Sequence, residues 1–210
     1  MNEALESYEI YAIRYARHDE RRASENFIGA SMGGSGDPHE DPLMPLDFFV
    51  WAIVGKQASF VVDAGFDEAM AKKRLRKILR PVGDGLKRVG VDPAKVEDVI
   101  ITHMHYDHAG NRDLFPQARY HLQDKEMQYC TGRCMCHAPL RGAFDADDVS
   151  AMVHRLFAGR VQFHDGVRSW LGKLHLLPCR RECHDSGRLS RRHDQWGSDL
   201  YHLFALPHVR

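Results

Sequence analysis

No surplus of charge of either sign marks this chain: 29 Lys and Arg stand against 29 Asp and Glu over 210 residues, a formal net charge of zero. A general nucleic-acid binder normally carries a basic excess, so that class is excluded. Nothing approaches the about 18 consecutive apolar residues of a membrane span. The longest runs, Phe48 to Val54 and Phe60 to Val62, have the length of strands. The acidic start, Met1 to Glu6, lacks the basic-then-apolar pattern of a secretory leader, so a cytoplasmic protein is expected. Cysteine is sparse and odd in number, five, which reads as free thiols or ligands rather than a disulfide framework. Internal repeats and low-complexity segments are absent too. What the chain has in excess is histidine, 14 residues. Imidazole is a common metal ligand and acid–base group, so their placement is the first clue to function.

Hydrophobic residues at 43% and charged residues at 28% describe an ordinary globular chain of about one domain. Tyr8 to Tyr15 alternates like a half-buried strand. Residues 29–45, with Gly29, Gly33, Gly34, Gly36, Pro38, Pro42 and Pro45, read as a long loop. Leu46 to Val54 and Ser59 to Asp63 predict a hairpin. Asp67 then caps a basic helix with Ala69, Leu75, Ile78 and Leu79 near helical spacing, ended by Pro81. Its Lys72, Lys73, Arg74, Arg76, Lys77 and Arg80 read as a solvated face. Val96 to Ile101, Ala118 to Gln123, Gly159 to His164 and Leu171 to Leu177 are further strands. Helices follow from Asp124 and over Asp145 to Phe157. Mixed hairpins and strand–helix units make this a layered α/β protein.

The densest polar cluster follows a buried-type strand: Thr102-His103-Met104-His105-Tyr106-Asp107-His108-Ala109-Gly110. On an extended segment residues i and i+2 point the same way, so His103 and His105 can grip one ion together. A turn into a helix at Ala109 redirects Asp107 and His108 toward a second. Imidazole and carboxylate donors without thiolate suit zinc, with manganese or iron as alternatives. Tyr106 in this slot reads as a packing aromatic rather than an oxyanion donor.

His103-x-His105-x-Asp107-His108 resembles the signature of the metallo-β-lactamase superfamily, and Asp63-Ala64-Gly65 resembles the Asp-Thr-Gly turn of that fold. The segments Pro45 to Trp51, Val61 to Asp67, Asp98 to Thr102, Phe115 to Ala118, Gln123 with Glu126, and Gly132 to His137 are similar to the N-acyl homoserine lactonase branch. The resemblance covers roughly residues 7–178. It implies an αββα sandwich with two zinc ions at one edge. His103 and His105 would bind the first and Asp107 and His108 the second. Asp63 would orient a ligand imidazole, although a plain strand-end turn role fits its sequence equally well. A metal-bound hydroxide would open a lactone, with Asp107 carrying a proton to the leaving oxygen. The partner is a small-molecule lactone or ester, with no nucleic acid or membrane, and a homodimer is open. In that reading residues 29–45 help wall an acyl-chain pocket.

The family pattern calls for Gly-His after a strand such as Lys173 to Pro178, then a bridging Asp and a last His. The chain reads Pro178-Cys179-Arg180-Arg181-Glu182-Cys183-His184 instead. Residues 179–210 hold six Arg but no Lys, a single Val and no Ile, and no strand or helix periodicity. The expected organisation is therefore a metallo-β-lactamase-like domain over 1–178, its second half incomplete, with an atypical tail over 179–210. That tail reads as translated out of frame, against the alternative of a diverged tail in which His184 or Asp185 replaces a ligand. The alternative functions are a thioester or other ester hydrolase of the same fold and a catalytically silent remnant that binds little metal. Cys130, Cys134, Cys136 and His137 lack the spacing for haem attachment, and a structural zinc there is the lesser reading beside plain thiols.

Overall fold

The computed structural model describes residues 7–27, 41–164, 168–170 and 174–176. Two long strands, β1 (Glu9–His18) and β2 (Leu46–Val54), pair antiparallel over their whole length, with a bulge between Arg14 and Ala16. Both alternate between buried and exposed residues, as strands with one solvated face do. β2 turns back into β3 (Ser59–Val62), the expected hairpin. From there the pairing becomes parallel through β5 (Asp98–Ile100), β6 (Arg119–Gln123) and β7 (Val161–His164). With the two-residue β4 (Lys77–Ile78) on β1, the sheet order is β4-β1-β2-β3-β5-β6-β7. A separate hairpin joins β8 (Arg168–Trp170) and β9 (Leu174–Leu176).

The helices are short: α1 (Ala23–Asn26), α2 (Glu68–Lys73), α3 (Val82–Arg88), α4 (Tyr106–Ala109), α5 (Asp124–Cys130) and α6 (Ala138–Arg141). Only α7 (Ala146–Phe157) exceeds two turns, among the described residues. One face of the sheet, with Val50, Val61, Val99 and Tyr120, shares a large core with Ala71 of α2, Leu86 of α3, Met127 of α5 and Met152 of α7. The other face carries a small cluster, Ile53, Phe60, Val62 and Ile100. On β6 the parity continues: His121 pairs in register with Ile100, its Nε2 donates to the Asp98 carboxylate at 2.8 Å, and its Nδ1 lies 3.0 Å from His164 Nε2. No helix among the described residues is long and apolar enough to cross a membrane.

The basic helix is shorter than its periodicity predicts. It stops at Lys73, Leu75 takes a left-handed φ of 55°, and Ile78 pairs with Ala16 as a strand. Leu75 is 81% exposed, so its helical spacing marks no buried face. A long-range strand partner prevailed over a local pattern. Phe48 is buried in the core, whereas its neighbour Phe49 is 39% exposed. Cys130 and Cys136 are free thiols, as expected. The tail over 179–210 and most of the 29–45 loop fall outside the described residues.

Candidate metal centre

Because β3, β5, β6 and β7 run parallel, their C-terminal ends meet at one edge of the sheet, where open α/β sheets place their sites. Val62 and Ile100 are register partners, so the residues that follow them, Asp63 and Thr102, are brought together despite 39 positions of separation. Asp63 N–H donates to the Ile100 carbonyl at 2.8 Å, and Asp63 itself adopts φ 64°. That left-handed turn is closed by Gly65 at φ 68°, where a Cβ would stand 2.9 Å from both the Tyr15 ring and Val82. Across from it, a Cβ on Gly110 would meet the Gly65 carbonyl at 2.6 Å. Glycine at both positions lets the two loops touch. The Ala64 N–H then donates to the His108 carbonyl at 2.7 Å, and Asn111 donates back to the Ala64 carbonyl at 2.7 Å.

Around this clasp the Asp63 carboxylate, 1% exposed, is fully employed. It accepts from Thr102 N–H at 2.8 Å, from the Thr102 hydroxyl at 2.9 Å and from His108 Nδ1 at 2.7 Å. The Thr102 hydroxyl also lies 3.0 Å from His103 Nδ1. Asp63 thus closes the strand-end turn against Thr102 and holds the His108 imidazole at once. The turn into α4 comes earlier than expected, at Tyr106 rather than Ala109, with His105 as its first flanking residue. His103 and His105 nevertheless meet, their ring centroids 4.5 Å apart, and His103 and His108 approach to 3.9 Å. His108 Nε2 faces Asp107 Oδ2 across 3.4 Å.

Charge follows from this crowding. Burial by itself would lower the His108 imidazole, but the carboxylates of Asp63 and Asp107 outweigh it and push it up to about 10. Burial likewise would raise Asp107, and the His108 charge and hydrogen bond, with His105 behind them, hold it down at about 2. Both carboxylates thus favour the protonated form of His108 in the metal-free chain.

The donor chemistry suits a zinc-type ion in one respect that can be measured. Two ligands about 2.0–2.1 Å from one tetrahedral ion lie about 3.3 Å from each other, and Asp107 and His108 already stand 3.4 Å apart. The other His108 nitrogen is tied to a carboxylate, as ligand imidazoles usually are. Yet among the described residues no group of three or more His, Cys, Asp or Glu side chains is arranged to hold an ion alone. The described chain offers donors in pairs. The family pattern calls for its further ligands after Pro178, where the sequence reads Cys179 to His184 and lies outside the described residues.

Residues 46–126, which contain every candidate site residue, match the family model for the Metallo-beta-lactamase superfamily. The crystal structure of a quorum-quenching N-acyl homoserine lactone lactonase superimposes with a TM-score of 0.57 at 18% identity, over 84% of this chain and 64% of that one. This chain has the metallo-β-lactamase fold. AidC, a dizinc quorum-quenching lactonase, shares the fold at a TM-score of 0.53 and 12% identity, over 81% of this chain and 62% of its own. In sequence, the N-acyl homoserine lactonase AttM of Azorhizobium caulinodans is 41% identical over 44 residues, 21% of this chain and 17% of that protein. The chain thus spans less than two thirds of the length of these metallo-β-lactamase-fold proteins.

Several residues that shape the site carried no signal in the motif. Tyr15, fully buried on β1, donates its hydroxyl to the Asp107 carbonyl at 3.0 Å. Burial keeps that phenol well above its usual range, so it remains a donor. Glu126, 1% exposed on α5, accepts from Met104 N–H at 3.0 Å and fixes the backbone between His103 and His105. A charged residue on the apolar face of a helix, between Met127 and the β6 strand, was the available clue. Tyr106 packs as expected: it is 6% exposed, and Arg76 donates to its hydroxyl at 3.2 Å.

Proposed function

We propose that this chain is a metal-dependent hydrolase of ester-type bonds, with a lactone of the N-acyl homoserine lactone class as substrate, acting in the cytoplasm. The observation that supports this most directly is the Asp63–His108–Asp107 arrangement at the strand ends, with His103 and His105 beside it. His103 and His105 would hold one zinc ion, and Asp107 and His108 a second. When bound, such ions polarise a carbonyl and supply a nucleophile from water near neutral pH.

The chain's own groups do the rest. Asp63 holds the Nδ1–H of His108, which leaves Nε2 facing Asp107. Thr102 ties Asp63 to His103, so imidazoles meant for different ions share one support. The Asp107 carboxylate takes a proton at Oδ2 and passes it to the leaving oxygen. Tyr15 and the Ala64 amide hold the backbone of Asp107 and His108 from behind, which keeps that oxygen in place.

The test is metal content and turnover on one purified sample. Two zinc ions per chain with lactone hydrolysis support the reading; strong thioester turnover without lactone turnover moves it to another ester class. A second reading, a silent remnant, is supported by the sequence after Pro178, which lacks the Gly-His that the family pattern calls for. Absence of bound zinc after reconstitution would establish it.

A further inference from the structure

Two arginines that follow α2 are partly buried, and one of them, Arg74, contacts both Tyr106, the residue after His105, and the loop that carries Phe144. The Arg74 guanidinium lies 3.9 Å over the Tyr106 ring, next in sequence to His105. Its Nη1 donates to the Gly142 carbonyl at 2.8 Å and its Nη2 to the Phe144 carbonyl at 3.1 Å. The carbonyl between them, Ala143, accepts from Tyr106 N–H at 2.9 Å. Three successive carbonyls of one loop are thereby bound to Arg74 and to the residue it stacks on. Lys73 adds a 2.6 Å ion pair to Asp145, which caps α7 through Asp147 N–H. The product of this fastening is the place of the Phe144 ring: it meets the His105 ring edge-on, centroids 4.8 Å apart at 87°.

We infer that Arg74 is a positioning residue for His105, acting through the 142–145 loop and Phe144. The arrangement requires arginine. A planar fork reaches two carbonyls while its face stacks on an aromatic ring, a combination that the point charge of a lysine ammonium does not reproduce. The left-handed turn at Leu75 makes the geometry accessible, because it ends α2 and lets Arg74 and Arg76 both approach Tyr106. The inference rests on the proposed function only for its consequence, that a wandering His105 binds metal less well.

The test separates the two. On chelator-treated protein, the rate of carbethoxylation of His105 by diethyl pyrocarbonate is followed by peptide mass spectrometry, with exposed His154 as internal reference. Arg74→Ala and Arg74→Lys are each expected to raise His105 labelling several-fold with His154 unchanged, and to speed tryptic cleavage after Arg141. Phe144→Ala is expected to raise His105 labelling while cleavage after Arg141 stays at the native rate, since Arg74 still holds the loop. Native His105 labelling in folded Arg74→Lys and Phe144→Ala proteins overturns the inference. In a second arm, zinc affinity of the Arg74 variants should fall about tenfold or more, as for other lost supports of ligand histidines. If the native chain binds no zinc, the proposed function fails, and the labelling arm still decides the role of Arg74.

Discussion

The two flanks of the His-Asp motif are built on different plans. On the Asp63 flank, charged groups are fixed by strand register: β3 and β5 pair, and the residues leaving them lock His108 and His103 through Asp63 and Thr102. On the opposite flank, His105 meets an aromatic ring carried on a loop, and that loop is held by a side chain from a distant helix end. Register is set by many cooperative contacts of a buried sheet, so the first flank tolerates little displacement. A loop clamped by one guanidinium has a local equilibrium of its own. The lesson is that one half of the motif is pre-organised by the fold and the other half by an accessory contact.

The largest expected effect comes from breaking the register-fixed flank. Asp63→Ala leaves His108 Nδ1 and the Thr102 amide without their buried carboxylate acceptor and should cost about 3–5 kcal/mol, as the loss of one member of a buried ion pair does. Urea unfolding measures it, and a loss under about 1 kcal/mol would erase the distinction between the flanks. Thr102→Val removes only the hydroxyl that ties Asp63 to His103 and keeps the backbone amide contact. One hydrogen bond to a charged acceptor predicts a loss of about 2 kcal/mol. Tyr15→Phe, which frees the Asp107 carbonyl, should cost about 1 kcal/mol and leave the strands intact, as amide exchange of β1 would show.

The difference between the flanks also explains what was legible beforehand. Hairpin β2–β3, the buried parallel strands and α7 follow from period and composition, and the motif announces itself by four donors within six positions. Asp63 could be named because Asp63-Ala64-Gly65 resembles the strand-end turn of the metallo-β-lactamase superfamily. Arg74 could not, because a run of basic residues at helical spacing reads the same whether its guanidinium faces water or stacks on Tyr106. Leu75, Ile78 and Leu79 fit a helix locally, and only the strand β1 far upstream decided otherwise. Tyr15 and Phe144 act on the motif through space, so nothing in their own sequence surroundings announces them, and Glu126 showed only as a charge on an apolar helix face. The 142–145 flank was thus the illegible half for the same reason that it is the adjustable half: its contacts are few and distant.

A mild change confined to that flank sharpens the comparison. Asp148, 4% exposed in the first turn of α7, has one oxygen without a hydrogen-bond partner among the described residues, and its nearest cation, Arg112, stands 3.9 Å away. Burial first, then the neighbouring charge of Asp145, pushes its carboxyl up to about 6. A carboxyl whose pKa is higher folded than unfolded favours the fold most below the unfolded value, and that advantage is lost as pH rises from about 4 to about 6. Above pH 6 the ionised group is a liability of at most about 3 kcal/mol. Asp148→Asn removes it but gives up a favourable charge near the helix N-terminus worth about 0.3–1 kcal/mol and the Arg112 contact. A net gain of about 1 kcal/mol is therefore expected at pH 7.5, shrinking to nothing or reversing at pH 4. Thermal unfolding of both proteins across that range checks the sign. Since the change relieves the loop-side helix without touching Asp63 or Thr102, His108 should keep its native chemical shifts throughout, and a His108 shift would show that the two flanks are coupled after all.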